Sequence, residues 1–242
     1  MFRLFRPSRN KEIMKGKVRS YFFYAFGEIL LVVIGILLAL QIDNWNEDRK
    51  NRKVEQETLQ TLYTNLGQDS VDIREALENN RKAIRSIDRL FSDRAYLQYP
   101  DSTGFWLAAI MSFERIQPRS SGFEVLKSRG LDLIANEQLR LDLATYYDET
   151  LTHILQSLGD IEWSFKREII PDIRRVVSGF QFKKQVTVKN PETYLSDMST
   201  IAYYQLFRDN REGTLEPLER GLQQISSLRS QIRTQIDVSP GS

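Results

Sequence analysis

Glu28 is the one charged residue in an otherwise apolar stretch from Tyr21 to Ile42, and that placement is the sharpest chemical signal in this chain. On a helix advancing about 100° per residue, Glu28, Val32, Gly35, Ala39, Ile42 and Asn46 fall within about 40° of one line. Gly35 and Ala39 form a small-xxx-small pair, the spacing that lets two helix backbones approach closely. An acid on that same face points at a neighbouring helix rather than at lipid, because carboxylates inside a bilayer are costly and face protein. The expected chemistry is recognition: a homo-oligomer, or a membrane partner protein, gripped through Glu28, Gly35 and Ala39. The acid is then either protonated or hydrogen-bonded across the contact. The plainer alternative has Glu28 take a hydrogen bond from Tyr24 one turn back and affect insertion alone. Proton or ion transport comes last, since one acid on one helix makes no relay.

Other candidates are thinner. His153, the single histidine, lies four residues after Glu149, so the two share a helix face and could supply two metal ligands. Structural sites need about four ligands and catalytic ones three, and no second cluster presents itself. Tyr146-Tyr147 and Tyr203-Tyr204 could line an aromatic pocket, although such pairs more often put one ring in the core and one at the rim. Arg129, Asp132 and Arg140 flank Gly130 near a helix start at Asn136 and could shape an anion site; caps and surface ion pairs are the commoner outcome. Phosphate-cradling glycine loops, a zinc-protease helix and a nucleophile elbow are absent from the sequence. Zero cysteines remove thiol catalysis and Cys-ligated metals. No catalytic, cofactor-binding or metal residues are expected; carboxylate-only hydrolysis is the weakest of the alternatives.

These residues are positioned by a predicted spanning helix, residues 21–42. Its unbroken apolar core, Ile29 to Leu40, is only about 18 Å long, but 21–42 reaches about 33 Å against a hydrocarbon core of about 30 Å. Glu28 costs on the order of 3 kcal/mol to insert, while the fourteen Leu, Ile, Val and Phe residues return roughly 4 to 8. Insertion wins. Residues 1–20 carry seven basic residues and one acidic, a net of +6, whereas Asp43, Glu47 and Asp48 follow the span before Arg49. The basic tail therefore stays in the cytoplasm, against anionic lipid, and residues 43–242 are translocated. Tyr21 and Tyr24 on one side and Trp45 on the other suit the headgroup belts. A signal anchor fits better than a cleaved signal peptide, because Leu37-Leu38-Ala39 is a poor cleavage site.

Residues 43–242 hold 27 basic and 30 acidic residues, a net of −3, so the basic balance of the whole chain comes from its tail. A mildly acidic outer part argues against nucleic acid as a partner. The outer part reads as an all-α bundle over 43–236. Residues 43–91 form a long stalk helix continuing the span, about 70 Å if straight, with Gly67 as the expected kink. A loop covers Tyr99 to Gly104, and shorter helices over 105–236 pack on the stalk. Among them, Ser121-x-x-Glu124 has capping-box spacing, Gly130 marks a left-handed stop, and Asn136 caps a helix running to about Glu168. Pro171 ends that helix. Phe180 to Val188 alternates and forms either a strand pair or an extended loop. A last helix follows Gly213, and 237–242 is a disordered tail.

Tyr24-Ala25-Phe26-Gly27-Glu28-Ile29, continuing to Asn44-Trp45-Asn46-Glu47, resembles the N-terminal signature of an uncharacterised family of single-pass bacterial membrane proteins. Leu126-Lys127-Ser128-Arg129-Gly130-Leu131 through Asn136 and Leu139-Arg140 looks like its second recurring block, and Asp43 stands where another asparagine is expected. The resemblance implies an inner-membrane protein of the bacterial envelope with a helical extracytoplasmic domain, and adds no activity. The sequence thus points to a non-enzymatic binding or interaction module; a scaffold, assembly factor or accessory sensor subunit is the alternative.

Overall fold

The computed structural model describes the backbone of residues 10–238 and the side chains of residues 24–237; residues 1–9, the side chain of Tyr21 and the tail 239–242 lie outside the described residues. The fold is all-α apart from one two-stranded hairpin. It divides into two compact units, Met1–Val54 and Glu55–Ser242. Helix α1 (Asn10–Phe91) belongs to the first unit up to Val54 and to the second from Glu55.

In the first unit α1 carries the run 29–40, which is apolar over the full helix circumference. An 18-residue window reaches a mean hydropathy of 2.4, and none of it is buried. The helix satisfies every interior backbone N–H and C=O within itself, which is what a segment surrounded by hydrocarbon requires.

In the second unit, Leu59, Leu62, Leu66, Ile73 and Leu77 of α1 enter a first core with α4 (Ser121–Arg129), α5 (Glu137–Ala144), α6 (Leu151–Ser164) and the later turns of α9 (Met198–Val238). Ile87 and Leu90 enter a second core. There they meet α2 (Ala95–Gln98), α3 (Pro100–Ile110), α7 (Ile170–Ile173), the hairpin β1 (Val177–Gln181) and β2 (Gln185–Val188), and α8 (Pro191–Leu195). Burying each such Leu or Ile is worth about 1.5–3 kcal/mol.

Several local expectations need correcting. Tyr99–Gly104 is no loop: Pro100 opens α3, its fixed φ suiting a first turn, and the Thr103 hydroxyl donates to the Tyr99 carbonyl at 3.1 Å. Ser121 does not cap α4, because its hydroxyl accepts from Asn65 of α1 at 2.9 Å and Ser120 takes the cap position. Gly130 adopts φ 103°, ψ 139°, an extended conformation open to glycine rather than the left-handed helical one. Pro171 does not end its helix. A π-helical turn over Phe165–Ile169 widens the coil just before the proline, and α7 continues to Ile173. The last helix starts at Met198, before Gly213, and holds Pro217 inside it. Asp237 and Val238 are helical. Helix α1 stays helical through Gly67. The open choice at 180–188 resolves as the hairpin, with Phe180 opposite Val186, and Asn136 caps α5 by accepting from the Leu139 amide at 3.0 Å.

Candidate functional site

Because α1 is helical throughout residues 28–46, Glu28, Gly35 and Ala39 lie on one stripe, and all three are exposed. A Cβ added at Gly35 would meet nothing within 4 Å, so the face is open to another helix. Tyr24 and Trp45, at the two ends of the apolar run, are 80% and 61% exposed. This stripe is the first candidate site.

In the second unit, polar residues join the elements at depth. Arg211 of α9 is 1% exposed and closes the C-terminal end of α3. Its guanidinium donates to the Ile110 carbonyl at 2.9 Å, to the Ser112 carbonyl, and to Asn80 Oδ1 of α1 at 2.9 Å. The Phe207 ring lies 4.7 Å from its guanidinium carbon, and Nε has no partner. Burial pulls the arginine down to about 9, against the upward pull of Glu114 and Tyr203. Glu114 itself accepts from Asn79 at 2.7 Å and from Lys183 in the hairpin turn at 2.7 Å.

Asp69 is the second buried charge. Both its oxygens accept from the Arg119 backbone amide, at 3.1 and 3.3 Å, and the Arg119 side chain reaches Asp69 at 3.1 Å and Asp72 at 2.8 Å. Burial holds the Asp69 carboxyl above its usual range, and the bonds from Arg119 oppose that rise. The arrangement pins the segment before α4 onto α1.

Of the tyrosine pairs, Tyr146 and Tyr147 both sit in the core, Tyr147 stacked on Phe123 at 4.3 Å and edge-on to Tyr146 at 5.0 Å. Their hydroxyls have no partner, and burial raises both. Tyr204 is buried and Tyr203 half-buried, the core-and-rim arrangement. His153 and Glu149 are both exposed, and no group of three or more potential ligands exists among the described residues. Near Gly130, Arg140 donates to the Ile134 carbonyl at 3.3 Å, a helix-end contact, while Arg129 and Asp132 are exposed.

Glu162 of α6 is gripped by Arg115, with Nε at 2.9 Å, and by Lys166. Hydrogen bonds from Arg115 and then Lys166 lower its carboxyl from the usual 4.5 to about 2. A depressed acid contributes stability that is present above pH 4.5 and is lost as pH falls from 4.5 toward 2. Glu162→Gln therefore flattens the acid limb of a stability-versus-pH curve in that window. The change is about 1 kcal/mol after allowing for solvent screening, and urea midpoints at pH 2.5 and 6 read it.

Sequence reasoning missed Arg211, although a signal existed. Tyr204, Phe207, Arg211, Thr214 and Leu218 recur at alternating three- and four-residue spacing and are all buried. A cation standing on the inward line of a helix marks a structural junction.

Comparison with known proteins decides one point. Residues 28–98 match a family of unknown function, DUF6090. The match begins at Glu28, takes in the rest of the apolar run and reaches the end of α2. The block from Leu126 to Arg140 falls beyond it. No curated protein and no solved structure matches the chain.

Proposed function

We propose that the chain is a single-pass membrane-anchored envelope protein whose Glu55–Ser242 unit is a non-enzymatic binding or interaction module. The observation that carries this reading is the apolar run of α1, none of which is buried among the described residues. Such a surface is untenable in water and ordinary in lipid. The charge asymmetry around it favours a cytoplasmic N-terminus and an extracytoplasmic unit in a bacterial inner membrane. The non-enzymatic reading draws support from the acidic pair Asp69 and Asp72, both engaged by Arg119.

The open stripe of Glu28, Gly35 and Ala39 is the surface through which the membrane helix meets a second copy. The chain lacks cysteine, so single probes are clean. In native membranes Gly35→Cys gives a disulfide-linked dimer on mild oxidation, several-fold more than Ile36→Cys or Leu38→Cys. Equal crosslinking at the three positions overturns this face.

A further inference from the structure

A groove of about 340 Å³ between α1 and α9 is lined by three arginines, Arg74, Arg229 and Arg233, and by no carboxylate. We infer that this groove binds a small soluble oxyanion, a phosphate or polycarboxylate carrying one or two anionic groups. The inference rests on the reading of Glu55–Ser242 as a binding module and supplies its ligand class.

Two helical lines build the groove. On α1, Tyr63, Ser70 and Arg74 follow one face; on α9, Ser226, Arg229, Ser230 and Arg233 do the same at i, i+3, i+4 and i+7. Arg229 is seated rigidly. Its guanidinium carbon lies 4.3 Å from the Tyr63 ring centroid, and a Cβ at Gly67 would come within 3.3 Å of it. Gly67, the residue expected to kink α1, is the floor on which this guanidinium rests. Yet Arg229 Nε is buried and meets no acceptor, and neither Arg229 nor Arg74 has a carboxylate partner among the described residues.

Three guanidinium groups that converge on a groove lined by no carboxylate leave terminal N–H donors for an oxygen from outside. Arg229 and Arg233 stand one turn apart on α9, about 6 Å, and the fork geometry of each matches a carboxylate or phosphate oxygen pair. Arg233 also lies 3.7 Å from Asp237, a loose and exposed contact that an incoming anion displaces. The volume falls at the small end of ligand sites, about 300–1,000 Å³, which suits a compact anion.

The test uses the full chain in phosphatidylcholine nanodiscs, where no lipid carries net charge. Thermal unfolding is followed while inorganic phosphate, and separately citrate, replaces chloride at constant ionic strength. At least one of the two raises the melting temperature with a saturable midpoint. Arg229→Gln weakens that midpoint at least about 10-fold, the effect of one charge-assisted hydrogen bond. Since Arg229 also packs on Tyr63, the double variant Arg74→Gln/Arg233→Gln, altering exposed side chains, decides if Arg229→Gln destabilises the free protein. It weakens the midpoint by about 10-fold or more and leaves the ligand-free melting temperature in place. The inference is overturned if neither anion acts beyond chloride, or if the double variant responds as the parent does. Either failure leaves membrane anchoring and the Gly35 crosslink untouched, so the two readings fail separately.

Discussion

Arg211→Ala lowers the melting temperature of the helical unit by roughly 10 °C, equivalent to about 3–5 kcal/mol of stability. The truncation removes the donor that satisfies the Ile110 and Ser112 carbonyls and the Asn80 side chain together. Each buried acceptor left unpaired costs about 1–3 kcal/mol, and a cavity adjoins the Phe207 ring. The loss exceeds what a surface arginine such as Arg220 would give, because Arg220 bonds only Glu216 one turn back in solvent. Arg211→Met restores volume without the donors and recovers part of the loss. Circular dichroism melts of the full chain in nanodiscs read all three variants. A shift below about 3 °C for Arg211→Ala contradicts the role given to this residue as the tie between α9, α1 and the end of α3.

The second large effect concerns insertion. The apolar run returns roughly 4–8 kcal/mol and Glu28 takes back about 3, so the proposed span inserts with a margin of only a few kcal/mol. Ile34→Arg adds about 3 kcal/mol of penalty near the centre and removes the isoleucine's gain. The margin is then close to zero, and a large fraction of the protein fails to insert and extracts into alkaline carbonate. Adding Glu28→Leu to Ile34→Arg restores the margin and returns the protein to the membrane pellet. If Ile34→Arg alone leaves the chain fully membrane-integrated, the acid-limited margin is wrong.

How much of this was readable in advance follows from the range over which each signal acts. The apolar run, its acid and the helix from Trp45 to Phe91 are local patterns, and Leu59, Leu62, Leu66, Ile73 and Leu77 announce their buried face by spacing alone. Asn136 is equally local, since a cap is settled within three residues. Ser121 shows the limit. Its capping-box spacing was genuine, but Asn65, 56 residues away, takes the hydroxyl. Pro171 reads as a break because the rule for proline is local, while a π-turn before it carries the helix on to Ile173. The arginine groove was beyond reach for the same reason: Arg74 and Arg229 look like ordinary solvated positions until α1 and α9 are set side by side. Arg211 was legible in principle, standing on the line from Tyr204 to Leu218.

The central claim is that one helix near the N-terminus crosses a membrane and carries Glu55–Ser242 to the outer side. A single cysteine at exposed Ser92, in a chain that otherwise has none, reports it directly, with Ser8→Cys as the inner control. In intact spheroplasts a membrane-impermeant maleimide labels Ser92→Cys and spares Ser8→Cys until lysis. Labelling of Ser92→Cys only after lysis, or its recovery in a soluble fraction, contradicts the account.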